Sequence, residues 1–304
     1  MSVRIIVGDV RERLAEPPDQ SVHCCVTSPP YWGLRDYGVA GQLGLESTPA
    51  EYVEKMVAVF REVRRVLRDD GTLWLNLGDS YARMQEGNVP QSKNPDCPPP
   101  FMAGRVKNAG LKPKDLVGTP WRVAFALQAD GWYLRQDIIW SKPNPMPESV
   151  RDRCTKAHEY IFLLSKSERY WFDADAIAEP ADVKNFRDAP CARRDPPPGQ
   201  STDTGFLEGR YYETRNKRSV WTVATQPYAE AHFATFPPKL IEPCILAGCP
   251  VGGAVLDPFN GSGTTGLVSL QHGRHYVGIE LNTDYLALTM PRIENAQRQG
   301  RLIA

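Results

Sequence analysis

Apolar positions along the chain recur with two periods, and the change from one to the other marks out its elements. Val3-Arg4-Ile5-Ile6-Val7 ends at Gly8-Asp9 and reads as a strand; after a short helical stretch, the apolar run Val22 to Val26 reads as a second, buried strand. From Thr48 the period becomes helical. Thr48 and Glu51 have capping-box spacing, Pro49 falls at the first helical position, and Val53, Met56, Val57, Phe60, Val63 and Leu67 make one apolar face. Asp70-Gly71 is the predicted stop, and Thr72 to Leu77 the next strand. Further along, the pattern predicts a helix around Trp121 to Ala129 and strands at Tyr133 to Trp140 and Tyr160 to Leu164. A βαβα series closes the chain: strand Ala254 to Leu256, helix from about Thr264 to His272, strand Tyr276 to Ile279, and a helix from Thr283 onward.

Two stretches break the periodicity. Residues 82 to 115, with Pro90, Pro95 and Pro98-Pro99-Pro100, read as a mobile loop, and loops of that length are usually functional or disordered. Residues 179 to 218, rich in Pro, Arg and Asp, read as an insertion with little core of its own. The expected organisation is therefore one domain made of 1–178 and 219–304, interrupted by the 179–218 insertion. No internal repeat is visible.

Composition narrows the class. With 304 residues and 41% hydrophobic positions the chain can bury a substantial core. No apolar run approaches the roughly 18 residues needed to span a bilayer, and Met1-Ser2-Val3-Arg4 leads into a strand rather than a signal peptide, so a cytoplasmic protein without membrane contact is expected. The seven cysteines show no CxxC pair and no Cys/His ligand spacing, so no metal site is expected, and reduced thiols fit better than a disulfide framework. The formal net charge of zero weighs mildly against a nucleic-acid partner. Local clusters, Lys93, Arg105, Lys107, Lys112 and Lys114 in the first aperiodic stretch and Arg210, Arg215, Lys217 and Arg218 in the second, fit either a nucleic-acid contact or, equally, solvated loop charge.

The strongest chemistry lies at the ends of two predicted strands, where open α/β sheets bind ligands. After Ala254 to Leu256 comes Asp257-Pro258-Phe259-Asn260-Gly261-Ser262-Gly263-Thr264-Thr265-Gly266. Gly261, Gly263 and Gly266 match G-x-G-x-x-G between a strand and a helix, with Glu280 at the end of the next strand, where a carboxylate can accept hydrogen bonds from ribose hydroxyls. A dinucleotide domain would continue with more βα units. Too little chain remains after Glu280 for that, so earlier strands must complete the sheet.

The other loop is Thr27-Ser28-Pro29-Pro30-Tyr31, directly after Val22 to Val26. Two prolines make a rigid turn in which the Ser28 hydroxyl and the Pro29 carbonyl point in set directions beside an aromatic ring. A planar group stacked on Tyr31 could have an exocyclic amine held by those two acceptors.

Ser28-Pro29-Pro30-Tyr31 resembles the fourth motif of the amino-group DNA methyltransferases, which transfer methyl from S-adenosylmethionine to cytosine N4 or adenine N6. Asp257 to Gly266 is similar to that family's cofactor motif, Glu280 to its ribose acid, and Gly8-Asp9 to the end of its third strand. Asn76-Leu77-Gly78-Asp79, Trp140-Ser141-Lys142-Pro143-Asn144, His158-Glu159-Tyr160 and Phe236-Pro237-Pro238-Lys239 resemble its intermediate motifs. The order, amine motif first and cofactor motif last, resembles the permuted β class, and explains how the amino terminus completes the sheet.

The resemblance implies a Rossmann-like α/β fold with a mixed, mostly parallel seven-stranded sheet, and a restriction-modification enzyme acting on double-stranded DNA, with a homodimer as a candidate assembly. It implies catalytic roles for Ser28, Pro29, Pro30 and Tyr31. S-adenosylmethionine would meet Asp9 near its adenine, Glu280 on its ribose, and Phe236, Asp257, Phe259, Gly261, Gly263 and Thr264 around the rest. Arg193, Arg194, Arg210, Arg215, Lys217 and Arg218 are the DNA-binding candidates. In the family, Ser at the first motif position goes mainly with N4-cytosine and Asp or Asn with N6-adenine, so Ser28 favours cytosine. A C5-cytosine enzyme would need a cysteine nucleophile, and neither Pro190-Cys191 nor Pro243-Cys244 follows a strand with the surrounding motif. A protein-glutamine methyltransferase and a catalytically idle DNA-binding protein are the more distant readings.

Overall fold

The computed structural model describes residues 1–34, 36–82, 110–181, 213–226 and 236–303. In chain order the elements are β1 (Val3–Val7), α1 (Val10–Arg13), β2 (Val22–Thr27), α2 (Pro49–Val66), β3 (Leu67–Leu77), α3 (Thr119–Ala129), β4 (Tyr133–Ser141), β5 (His158–Ser165), β6 (Glu179–Pro180), β7 (Thr214–Arg215), β8 (Val220–Thr222), α4 (Pro238–Gly248), β9 (Ala254–Asp257), α5 (Thr264–Gln271), β10 (His275–Glu280) and α6 (Asp284–Ile303). The main sheet runs β1-β10-β9-β2-β3-β5-β4-β8, and β6 pairs with β7 apart from it. Within the main sheet only β5 runs against its neighbours.

This order joins the two ends of the chain. β1 lies parallel to β10 with Val7 opposite Glu280, and Gly8 N donates to the Glu280 carbonyl at 2.8 Å. β9 is flanked by β10, its successor in the chain, and by β2, with Cys25 opposite Leu256. Sequence order thus reverses between β9 and β2, which makes the crevice beyond their carboxyl ends the switch point of the sheet. The loops that follow Thr27 and Asp257 open into that crevice side by side.

The predicted sheet of seven strands is corrected to eight. The unpredicted strand is β8, parallel to β4 at the sheet edge, with Trp221 buried. Three residues are too few to show a period. α4, centred on Leu240, Ile241 and Ile245, is a second element that was not predicted, and it carries Pro238 and Pro243. Pro238 in fact occupies the first turn, where a missing N–H costs nothing.

Local signals explain the rest. Thr48 Oγ1 caps α2 by accepting from Glu51 N at 3.1 Å, but the Glu51 carboxylate accepts from Ser47 Oγ and N instead of closing a reciprocal box. β3 starts at Leu67, before the predicted Thr72, and its pairing with β2 slips around Gly71, so the Asp70-Gly71 stop falls at an irregularity inside the strand. Alternation along β3 sends Leu73, Leu75 and Leu77 into a core with α2 and α3, and Trp74 into one with α4. Both faces of β3 are covered, and Asn76 is only 4% exposed. No helix among the described residues is long and apolar enough to cross a membrane.

Candidate active site

On one side of the crevice, the backbone turns tightly after β9. Gly263 has φ +73°, and a Cβ there would stand 2.7 Å from the Thr289 side chain, so α6 can approach only because the position is glycine. Gly261 differs: an added Cβ would meet nothing closer than the Phe259 carbonyl at 3.9 Å. Its N–H donates to Glu280 Oε2 at 2.7 Å, and Asn282 N donates to Oε1 at 2.8 Å. Burial pushes the Glu280 carboxyl up to about 7, against the pull of those two backbone donors. It is a partly satisfied buried acid beside open space, which suits ribose hydroxyls.

Asp257 is 1% exposed and makes three contacts. Thr265 Oγ1 donates to Oδ2 at 2.7 Å, Phe259 N donates to Oδ1 at 3.0 Å, and Thr27 Oγ1 donates to Oδ1 at 2.7 Å. Burial raises its pKa to about 6. Because Thr27 immediately precedes Ser28, this carboxylate fastens the two candidate loops to each other. The sequence suggested Asp257 as a ligand residue; its buried position makes it a brace as well.

On the other side, Ser28 is half-buried and Pro29 buried. The Pro30 carbonyl accepts from Tyr52 Oη at 2.9 Å, which pins the turn to α2. Tyr31 packs directly on Gly78, where a Cβ would come within 2.5 Å of the ring. Its hydroxyl accepts from Ser28 Oγ at 3.3 Å and donates to Glu159 Oε2 at 2.7 Å, with Asn76 Oδ1 at 3.2 Å. Desolvation, with the nearby Glu159 charge second, raises the Tyr31 pKa far above its ordinary value, so the phenol stays protonated. Lys142 Nζ pairs with Glu159 Oε1, and both side chains are under one-fifth exposed.

The remaining candidates fall in three groups. Asp9 follows β1, two residues past Val7, which lies opposite Glu280; its carboxylate caps α1 and is engaged by the Arg11 guanidinium, which lowers its pKa. Phe236 packs at the edge of the α4 core, and Thr264 is buried, its hydroxyl accepting from Arg292 at 3.2 Å. Of the basic residues, Arg215, Lys217 and Arg218 converge on Glu179 at 3.7, 3.6 and 3.1 Å. Arg193, Arg194 and Arg210 lie outside the described residues, as does most of the 82–115 loop.

Asn76, Lys142 and Glu159 belong to this site and were recognised only as parts of motifs. Their neighbours across the sheet are set by the pairing of β3, β4 and β5, which no local pattern encodes. Thr27 likewise read only as the first residue of the loop, whereas it is the last residue of β2. Asp79, from the same motif as Asn76, turns away: it accepts from Gly118 N and Thr119 N at 3.1 Å and anchors the start of α3. Cys244 sits inside α4, fully buried, where desolvation pushes its thiol well up and away from nucleophile chemistry.

Residues 22–291 match the model of the N6/N4 methyltransferase family, described as DNA methylase. The chain is 50% identical over 289 residues to the Type II methyltransferase M.Cfr9I of Citrobacter freundii, covering 94% of this chain and 86% of that protein. Among solved structures, PvuII DNA methyltransferase, described as cytosine-N4-specific, aligns with a TM-score of 0.64 at 19% identity over 99% of this chain and 93% of its own. The modification methylase TTHA0409 of Thermus thermophilus, solved in complex with S-adenosyl-L-methionine and described as a putative enzyme of that kind, aligns with a TM-score of 0.59 at 24% identity over 98% and 96%. At these identities the two solved structures testify to the fold.

Proposed function

This chain belongs to the N6/N4 DNA methylase family, and on that premise we propose that it methylates the exocyclic N4 amine of a cytosine flipped out of duplex DNA. It is a Type II DNA methyltransferase of an S-adenosylmethionine-dependent family. Bound in the crevice, that cofactor would supply an electrophilic methyl group on a sulfonium. The residues present fit it: Glu280 offers unfilled acceptor capacity next to the open side of Gly261, and Phe259 lies on the same turn.

The observation that carries this reading is the Thr27–Asp257 contact at 2.7 Å, which holds the Ser28 turn beside the Gly261 turn. Reaction across such a gap is a matter of alignment. An exocyclic amine is a weak nucleophile because its lone pair is delocalised into the ring. Ser28 Oγ and the Pro29 carbonyl accept its two hydrogens, which favours a pyramidal nitrogen whose lone pair faces the donor side. Tyr31, fixed at its hydroxyl and packed on Gly78, offers a rigid ring for the extruded base, and stacking offsets part of the few kcal/mol that flipping costs.

The choice of cytosine rests on Ser28. Duplex DNA methylated with labelled cofactor and digested to nucleosides should carry label in N4-methyl-2′-deoxycytidine. Label in N6-methyl-2′-deoxyadenosine alone overturns the choice of base, and unlabelled DNA overturns the activity. The basic residues from 193 to 218 are proposed to contact DNA, with Arg215, Lys217 and Arg218 reaching phosphate from the rim of the Glu179 cluster.

A further inference from the structure

We propose that Glu159 is a positioning residue that fixes the direction of the Ser28 hydroxyl hydrogen, making the Ser28 oxygen an obligate acceptor for the target amine. This rests on the reading of Ser28 as the residue that grips that amine.

A serine hydroxyl is ambivalent, with one hydrogen to give and two lone pairs to receive. An incoming N–H finds an acceptor only if the hydroxyl hydrogen already points elsewhere. Three side chains decide where. The Glu159 carboxylate can only accept, and it lies 2.7 Å from Tyr31 Oη, so the phenolic hydrogen goes to it rather than to the neutral Asn76 Oδ1 at 3.2 Å. With its hydrogen committed, Tyr31 Oη presents lone pairs to Ser28 Oγ at 3.3 Å and draws the serine hydrogen inward. Both lone pairs of Ser28 are then left for a ligand. Polarity runs one way along the chain Ser28 to Tyr31 to Glu159.

The carboxylate at the end of this chain is itself immobilised. Asn76 Nδ2 donates to Glu159 Oε2 at 3.3 Å while also donating to the Tyr160 carbonyl at 3.0 Å. Lys142 Nζ holds Oε1, and it stands 4.2 Å from the centre of the Trp140 ring. Trp140 lies opposite Glu159 in the β4–β5 ladder, and Lys142, one residue past β4, is tied to the same strand pair by its N–H, which donates to the Ala157 carbonyl at 2.8 Å. A buried ion pair of this kind is weak evidence for stability, which leaves orientation as the use that fits its position.

The test compares Glu159→Gln, Tyr31→Phe and the double variant in the full-length enzyme. It measures single-turnover transfer to duplex DNA, KM for DNA, cofactor affinity and melting temperature. The amide introduced by Glu159→Gln can turn its donor toward Tyr31 and reverse the chain, while Tyr31→Phe keeps the aromatic ring but removes the hydroxyl link. Each single change should lower the transfer rate about tenfold or more, with KM and cofactor affinity within about twofold. The double variant should be no slower than the worse single, because both cut the same chain. A wild-type rate for Glu159→Gln, or losses that multiply in the double variant, overturns the proposal. Should Glu159→Gln unfold, Tyr31→Phe retains the ion pair and decides alone: an unchanged rate overturns it. Ser28→Ala separates the two readings. If it keeps transferring methyl, the assignment of the amine to Ser28 fails; if it is dead while Glu159→Gln is normal, only the role of Glu159 fails.

Discussion

The turn after β9 and the turn after β2 sit side by side, yet they are held in different ways. Around Gly261 the bonds are local, to Glu280 at the end of the next strand and to Thr289 and Arg292 on the following helix. Around Ser28 they come from far along the chain: Tyr52 on α2, Asn76 on β3, Glu159 on β5, and Lys142 just beyond β4. The first turn is shaped by backbone that only glycine allows; the second is an ordinary turn whose side chains are aimed by distant strands. Damage to the first should therefore alter how tightly the methyl donor binds, and damage to the second how fast the methyl moves.

Asp257 is the exception that belongs to both, and its loss should have the largest effect. Asp257→Ala leaves the Thr27 hydroxyl and the Phe259 N–H buried without their partner, and leaves Thr265 Oγ1 only the Val26 carbonyl at 3.3 Å. At about 1–3 kcal/mol for each orphaned group, a loss of roughly 4 kcal/mol is expected, or about 10 °C in melting temperature. Donor affinity and transfer rate should fall together. Asp257→Asn, which keeps an acceptor and removes a charge that burial already disfavours, should be milder. Calorimetry on both variants checks this, and an alanine variant that melts like wild type would deny Asp257 the role of brace.

Ser28→Ala should come next and should split the two measurements. Removing the acceptor should slow transfer about 10²–10³-fold, as removal of one aligned polar group does in other active sites. Cofactor affinity should stay within about twofold, since no bond of Ser28 reaches the Gly261 turn. Isothermal titration beside single-turnover kinetics measures both, and equal loss of the two would erase the distinction between the turns.

The same contrast decides what was legible in the sequence. The Gly261 turn could be read because its partners are close in sequence: the strand, the glycines and Glu280 form one short pattern, and its chemistry follows from the types present. The Ser28 turn was legible as far as Pro29 and Pro30 stiffen the backbone. Its supporting groups were not, because Asn76 and Glu159 meet Tyr31, and Lys142 meets Glu159, only through the pairing of β3, β5 and β4. The strand β8 was missed for a related reason, since Trp221 is buried by what it packs on rather than by any pattern around it. Closure of the sheet by β1 against β10 was foreseeable from the order of the motifs, with the amine motif first and the cofactor motif last.

A titration should sharpen the donor side further. Burial raises the Glu280 pKa from 4.5 to about 7, so in the protein without cofactor this group favours the folded state below about pH 4.5, and that contribution is lost as pH rises through 7. Hydrogen bonds from ribose hydroxyls favour the ionised carboxylate instead. Cofactor binding should therefore release a proton, and affinity should strengthen about tenfold between pH 6 and pH 8. Glu280→Gln should flatten that dependence. A wild-type affinity that ignores pH over this range would remove Glu280 from the ribose.

The smallest effect is expected at the DNA candidates, where the three described cations share one acid. Arg215, Lys217 and Arg218 surround Glu179, so part of their charge is answered within the protein, and Arg218 is the most exposed at 70% of its side chain. A phosphate contact through Arg218 would release about one counterion, so Arg218→Ala should weaken DNA binding a few-fold and reduce the salt slope by about one. The loss should be the same for specific and random duplexes, because phosphates carry no sequence. A change in which sequence is methylated would instead put the guanidinium on a base edge. An unchanged salt slope would leave Arg218 as a partner of Glu179 alone, and recognition would then fall to residues nearer 193 and 210.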